Sequence, residues 1–481
     1  MTEHLTGLTD AVVAFVEGMT FEQVSGEHLR IARRCVLDGL AVAVGGSRQP
    51  GMAPLARYIQ SVGGAGQSRP LGNAGTSLPA HFAALWTGTA GHATDWDDTQ
   101  LADGPGRPYG LLMHPTMPPL AASLAMADLV AAERGTPVTG EEFLTAFATG
   151  FEVGCKIAEA INPDHYMRGF HTSGTIGAFA ATAAAAKLLG LDRDGIARAI
   201  GFAASMSGGI RANFGTMGKP FHVGRAAENG VTAVLLAREG FTSNTEALDG
   251  KWGYLAIAGI GGDPALVRKK FGAPFTMVTP GVSIKPYPSG VLTHPSMDAL
   301  KFLMRDEGIT AEDVASVTLN AGFNVLGPIR FRIAKTELEG KFSFAFLLAA
   351  IILRGRAGTA EFTDEFVSSE ACQAMQERIE TRFDQGIEDM GWDKIRSRVE
   401  VTTKDGRTFE RWADEKYRGG PDNPLSDAEL EDKFHDNAEG ILTEEQQQAI
   451  FTRVWTLEEA ADVGDLLTLT DWGAFAAAEK E

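Results

Sequence analysis

Cysteine is scarce in this chain of 481 residues. Cys35, Cys155 and Cys372 are its three cysteines, far apart and in no CxxC or zinc-finger spacing, which argues against a thiolate-ligated metal cluster. Positive charge is also short. There are 43 lysines and arginines against 62 aspartates and glutamates, a formal net charge of −19, which speaks against general affinity for nucleic acid or an anionic membrane. An acidic substrate stays open, because local groups set the field inside a cleft. The sequence lacks any run of about 18 apolar residues that could cross a bilayer. Its opening stretch, "MTEHLTGLTDAVVAFVEGMTFEQV", lacks the basic lead of a secretory signal, so the expected location is cytoplasmic. Absent too are the GxxxxGK[ST] phosphate loop, the HExxH zinc motif and the GxSxG elbow. "GGAGQS" misses the GxGxxG register, which disfavours ATP or nicotinamide chemistry.

What is present is an ordinary globular composition, 44% hydrophobic and 22% charged, in a chain too long for one core. From Leu5 to about Gly45 apolar residues recur at three- and four-residue spacing, predicting amphipathic helices that end at glycines. Residues 172–210, "TSGTIGAFAATAAAAKLLGLDRDGIARAIGFAASMSGGI", read as an alanine-rich helical hairpin broken at "GLD", and alanine and glycine at this density let helices approach closely. Near residue 283 the texture changes. "SIKPYPSG" is followed by a helix, "THPSMDALKFLMRDEG", and by the strand-like alternation of "VASVTLNAGFNV". "RSRVEVTTKDGRTFERWA" reads as a hairpin turning at Asp405-Gly406. A smaller α+β domain is therefore expected over 283–419. A helical run follows through Ala476, with Ser426 placed as an N-cap three residues before Glu429.

Four segments concentrate polar groups in glycine-rich or apolar surroundings. They are "GHATDWDDT" with "MHPT" at His114 beyond it, "YMRGFHTSGT", "NFGTMGKPFHVGRAAENG" and "SIKPYPSGVLTH". Together they bring Arg168, His171, Lys219, His222, Arg225, Lys285, Tyr287 and His294 into a strongly acidic protein, the inventory of a polycarboxylate pocket. Taken singly, each cation reads as a surface or structural group. Asp95, Asp97 and Asp98 could hold a hard cation, but the segment lacks the glycine and terminal glutamate of a calcium loop. Helix capping or pairing with an arginine is the plain reading for any one of them, and a general base or its orienter the sharper one.

In order, "GHATDWDDT", "HPT", "RGFHTSGTIGAFAATAAAAKLLGL", "GKPFHVGRAAENGVTAVLLAREGFT", "KPYPSG", "GKFSFAF" and "NPLSDAELEDKF" resemble the MmgE/PrpD family, over residues from about 80 to 435. The resemblance implies a mainly α fold: a large all-helical domain from residues 1–282 and 420–481, an inserted α+β lid over 283–419, and a homodimer. It also implies chemistry on small di- or tricarboxylates without cofactor or metal, in a cleft between domain and lid. Carried over by position, the pocket comprises Asp95, Thr99, His114, His171, Lys219, His222 and Lys285. Arg168 and Tyr287 join them as substrate-binding candidates from the same segments. His114 is given the acid/base role, since an imidazole exchanges protons near neutral pH, while Asp95, His171 and Lys219 complete the catalytic set. Lys219 and Lys285 are assigned to substrate carboxylates, where cations stabilise an enediolate-like species.

Two departures bear on the substrate. Gly290 stands where decarboxylase-like members place a histidine, and His294, four residues on, could replace it only if the loop is rearranged. The 100–113 connection, "QLADGPGRPYGLLM", is longer than expected for the dehydratase, and its Arg107 and Tyr109 are candidates to reshape the pocket. The expected activity is that of a lyase or isomerase taking a proton α to a carboxylate, foremost a 2-methylcitrate dehydratase-like dehydratase. An epimerase of an iminodisuccinate-like acid, a cis-aconitate-type decarboxylase and a non-catalytic polycarboxylate-binding protein are the alternatives.

Overall fold

The computed structural model describes residues 7–101, 113–259 and 262–475; Arg107 and Tyr109 lie outside them. The chain divides into two compact units. The described residues of the first lie within 7–101, 113–282 and 427–475, those of the second within 283–426.

Helices build the first unit. The predicted N-terminal pair is Leu8–Gly18 and Glu27–Gly46, each closing on glycine. The alanine-rich stretch forms Gly177–Leu189 and Arg193–Met206. Its break at "GLD" has a local cause. Gly190 takes a left-handed φ of 72°, and the Asp192 carboxylate caps the next helix by accepting from the Gly195 N–H at 2.7 Å. At the centre the helices Ala80–Ala93 and Gly218–Arg238 pack on each other. A Cβ at Gly224 would collide with Thr89 Oγ1 and the Leu85 carbonyl, so the close approach of these helices requires glycine there. The helix Asp427–Ala438 packs against Glu27–Gly46, with Leu430, Phe434 and Ala438 on its buried face at four-residue spacing, and Glu444–Trp455 follows it.

The second unit is built on a four-stranded sheet: β1 (Val314–Ala321), β2 (Ile379–Phe383), β3 (Ser397–Thr403) and β4 (Thr408–Trp412), in the order β2-β1-β3-β4. β2 runs parallel to β1, and the other neighbours are antiparallel. β3 and β4 form the hairpin read from Asp405-Gly406, with Thr402 opposite Thr408 and Gly406 at φ 87°. β3 buries every second residue, Ser397, Val399, Val401 and Thr403. The helices His294–Glu307 and Phe344–Arg354 pack against this sheet. Helices dominate the whole, and among the described residues none is long and apolar enough to cross a membrane.

Candidate active site

The first unit gathers its ionisable side chains where the helix Ala80–Ala93 ends. The backbone turns sharply there: Asp95 takes a left-handed φ of 55°, which few side chains other than those of Asn and Asp tolerate. The turn sends successive carboxylates to different partners. Asp95 Oδ1 lies 2.9 Å from Lys219 Nζ, Asp97 accepts from His92, and Asp98 accepts from the Thr116 N–H and hydroxyl at 3.2 and 2.7 Å.

The hydrogen bonds fix which nitrogen of each histidine carries a proton. His92 Nδ1 lies 2.9 Å from both Asp97 oxygens, so it donates to the carboxylate. Its Nε2 is left with a lone pair, which accepts from the Lys219 ammonium at 2.9 Å. His114 donates Nδ1–H to the Asp98 backbone carbonyl at 2.8 Å, with Asp97 Oδ2 at 3.3 Å from the same nitrogen. In that tautomer Nε2 carries the ring's lone pair, 3.9 Å from Asp95 Oδ1. The His114 N–H is held by Ser173 Oγ at 2.9 Å, and the ring keeps 15% exposure in a cluster otherwise closed to solvent.

A second histidine pair flanks this group. His171 and His222 share one hydrogen bond, Nδ1 to Nδ1 at 3.1 Å, which requires at least one ring to be neutral. Burial, reinforced by nearby positive charge, pushes His171 well below the usual imidazole range and His222 down to about 4. Burial also lowers His92, with Asp97 pulling the other way. Asp98 behaves oppositely: burial, then the neighbouring Asp38 charge, raises its carboxyl to about 8. Gly174 lets this layer close, since a Cβ there would sit 2.7 Å from His222 Cβ. His171 Nε2, Thr172 Oγ1 and Thr99 Oγ1 are buried with no hydrogen-bond partner among the described residues.

Of the residues singled out in the sequence, Asp95, His114, His171, Lys219 and His222 are thus brought together. Thr99 is buried four residues after Asp95, where the short strand Thr99–Gln100 begins. Arg168 stands apart: it is exposed, and its guanidinium donates to the Ile257 carbonyl at 3.3 Å. Arg225 pairs with Glu228 at 2.7 Å. Lys285 and Tyr287 belong to the second unit, both buried, with the Tyr287 hydroxyl donating to Asp298. His294 is fully buried there, Nε2 on the Ser289 carbonyl at 3.1 Å, so that it has a structural partner of its own.

The sequence reading passed over His92 and left Asp97 outside the pocket set, yet both lie at the centre of the cluster. The available signal was their spacing of five residues across a helix end, which the single word "GHATDWDD" already contained. His92, Asp95, Asp97 and His114 also present ligand atoms all within 4.8 Å of one another, a donor set suited to a divalent metal. Lys219 lies 2.9 Å from ligand atoms of two of the four, so its ammonium would repel such an ion.

Comparison with known proteins places the chain in a family. The chain matches the MmgE/PrpD N-terminal domain over residues 10–266 and the MmgE/PrpD C-terminal domain over residues 287–458. It is similar to the cis-aconitate decarboxylase of Homo sapiens, at 26% identity covering 97% of this chain and 95% of that protein. Similarity extends to the cis-aconitate decarboxylase of Aspergillus terreus (24%; 96% of each) and the 2-methylcitrate dehydratase of Cupriavidus necator (24%; 89% of this chain, 90% of the relative). With both family domains matched over most of its length, the chain belongs to the MmgE/PrpD family of enzymes.

Proposed function

We propose that this protein is a cofactor-independent lyase that removes a proton α to a carboxylate of a small di- or tricarboxylate, with dehydration of a 2-methylcitrate-like hydroxy acid as its reaction. The observation that carries this reading is the state of His114. Its Nδ1–H is committed to the Asp98 carbonyl, which leaves the lone pair on Nε2 of a ring that keeps 15% exposure; Asp95 Oδ1 lies 3.9 Å from that nitrogen and 2.9 Å from Lys219 Nζ.

In the proposed reaction Nε2 takes the α proton, the C–H electron pair becomes the new C=C bond, and the β hydroxyl leaves with a proton as water. Negative charge develops on the substrate carboxylate as the C–H bond breaks, and Lys219, oriented by Asp95 and by the His92–Asp97 pair, is placed to stabilise it. The neutral state of His171 and His222 suits them to hydrogen bonding rather than to holding charge, and Thr99 Oγ1 has hydrogen-bonding capacity to offer a substrate. Lys285 is proposed to bind a second carboxylate.

Decarboxylation is the second reading, favoured by the names of two of the relatives above. It asks the opposite of His114. A C–C bond breaks, carbon dioxide leaves, and the remaining carbanion is protonated, so the ring must begin as an acid. A Cβ at Gly290 would meet open space, so the position where decarboxylase-like members carry a histidine has no side chain here and nothing crowding it. Epimerisation shares the first step of dehydration and differs in returning the proton to the opposite face.

The test is proton NMR of the protein with 2-methylcitrate, citrate, cis-aconitate and iminodisuccinate, repeated from pH 5 to pH 9. Collapse of the 2-methylcitrate methyl doublet to the singlet of a methyl group on a fully substituted C=C, at a rate that rises with pH, supports dehydration by a neutral base. Carbon dioxide release at a rate that falls with pH overturns it in favour of the decarboxylase.

A further inference from the structure

The helix Asp427–Ala438, which comes from the far end of the chain, buries a lysine on the same face as its core residues. Lys433 lies among Leu430, Phe434 and Asn437 and is 5% exposed. A charged side chain is buried this deeply only where partners hold it. Its partners are specific: Nζ pairs with the carboxylate of Asp38, itself fully buried on the helix Glu27–Gly46, and donates to the backbone carbonyl of Trp96 at 2.7 Å. The ammonium also lies 5.5 Å from the Trp96 ring centroid.

That carbonyl belongs to the residue directly after Asp95. A left-handed φ at a non-glycine residue costs free energy and persists only where surrounding contacts hold it. A buried carbonyl in a turn, lacking a helical or strand partner, needs a donor from elsewhere. Lys433 supplies one from 337 residues further along the chain.

We propose that Lys433, held by Asp38, is a positioning residue for the catalytic turn. By holding the Trp96 carbonyl it keeps Asp95 left-handed, and so sets Asp95 against Lys219 and Asp97 against His92. The polar partners described for Lys433, Asp38 and the Trp96 carbonyl, are given no chemical step above. The inference rests on the reading of Asp95 as part of the active site.

Two double variants isolate the bond. Asp38→Asn with Lys433→Met removes both charges and the donor, while Asp38→Asn with Lys433→Gln removes both charges and keeps an N–H for Trp96. Neither leaves an unpaired buried charge. Hydrogen–deuterium exchange is read for the peptide spanning residues 94–100 and for the helix Gly177–Leu189, beside kcat and KM on whichever acid the parent converts. The methionine pair is expected to speed exchange of the turn by about tenfold or more, leave the distant helix at the parent rate, and lower kcat by roughly 10²-fold with a smaller change in KM. The glutamine pair is expected to restore both towards the parent.

Unchanged exchange at the turn in a folded methionine variant overturns the proposal, as does equal loosening of the distant helix. A loosened turn with full turnover overturns the positioning role. If the methionine pair does not melt cooperatively, Asp38→Asn alone decides: faster exchange of the turn with lowered kcat, the distant helix keeping its parent rate, supports the proposal, and turn exchange and turnover both at parent values overturn it. If the parent converts none of the acids, the functional reading fails by itself, and the exchange data still decide whether Lys433 holds the turn.

Discussion

A histidine becomes a base at a chosen nitrogen only when its other nitrogen is occupied, and at His114 the occupant is the Asp98 backbone carbonyl. The Asp98 side chain carries a separate consequence. Burial raises its carboxyl from the ordinary 3.8 to about 8, so across that interval the folded protein holds a proton that the unfolded chain has released. The stability this gives is full below about 3.8 and is lost as pH rises through about 8. The melting temperature should therefore fall between pH 6.5 and 8.5, and Asp98→Asn should flatten the fall; an identical slope in the variant would contradict the protonated state. The buried histidines act with the opposite sign. His222, lowered from 6.5 to about 4, contributes stability that is full above 6.5 and lost as pH falls through 4, on the order of 3 kcal/mol. His222→Gln should reduce acid sensitivity in thermal melts between pH 6.5 and 4, and undiminished sensitivity would place the titration elsewhere. At this scale the sequence pointed to His114 and Lys219, and the fold brings both to Asp95. It was less legible where a role depends on a partner: His92 is defined by the Lys219 that reaches it from another helix, and Arg168 by an exposed surface that its segment did not reveal.

Helices and strands that carry their own punctuation were readable before any coordinates. Gly190 and Asp192 end and restart a helix by local rules, and Asp405-Gly406 turns a hairpin between strands whose burial alternates. β2 was not foreseen, for a physical reason. Of its five residues only Ile379 is buried, so no alternation marks it, and it exists through parallel pairing with β1. The close packing of the helices Ala80–Ala93 and Gly218–Arg238 was legible only in outline, as small residues at high density. What fixes it is that Gly224 faces backbone. Gly224→Ala should therefore destabilise the first unit by about 1–3 kcal/mol, because the helices must move apart to admit one methyl group. Urea unfolding followed by circular dichroism measures this, and a midpoint equal to the parent's would show that the contact is more yielding than its geometry implies.

For the whole molecule, the family resemblance carries a proposal of homodimerisation: light scattering behind gel filtration should give twice the chain mass of 51.2 kDa, and a single-chain mass would remove it. Membership of the family was legible from the order of seven short motifs, none specific alone, and both family domains now match. The substrate was not legible, because linear order does not encode how side chains meet a ligand. The proton step is common to the proposed dehydration and its epimerase variant, so it is the point to test. The most direct measurement is deuterium incorporation at the α carbon of a bound polycarboxylate, followed by NMR in deuterated buffer containing EDTA, for the parent and for His114→Ala. Metal-free abstraction by His114 predicts uptake in the parent despite chelation and a loss of roughly 10²–10⁴-fold in a variant that still binds the acid. Uptake at the parent rate in the variant, or uptake that stops with EDTA and returns with a divalent cation, would contradict it.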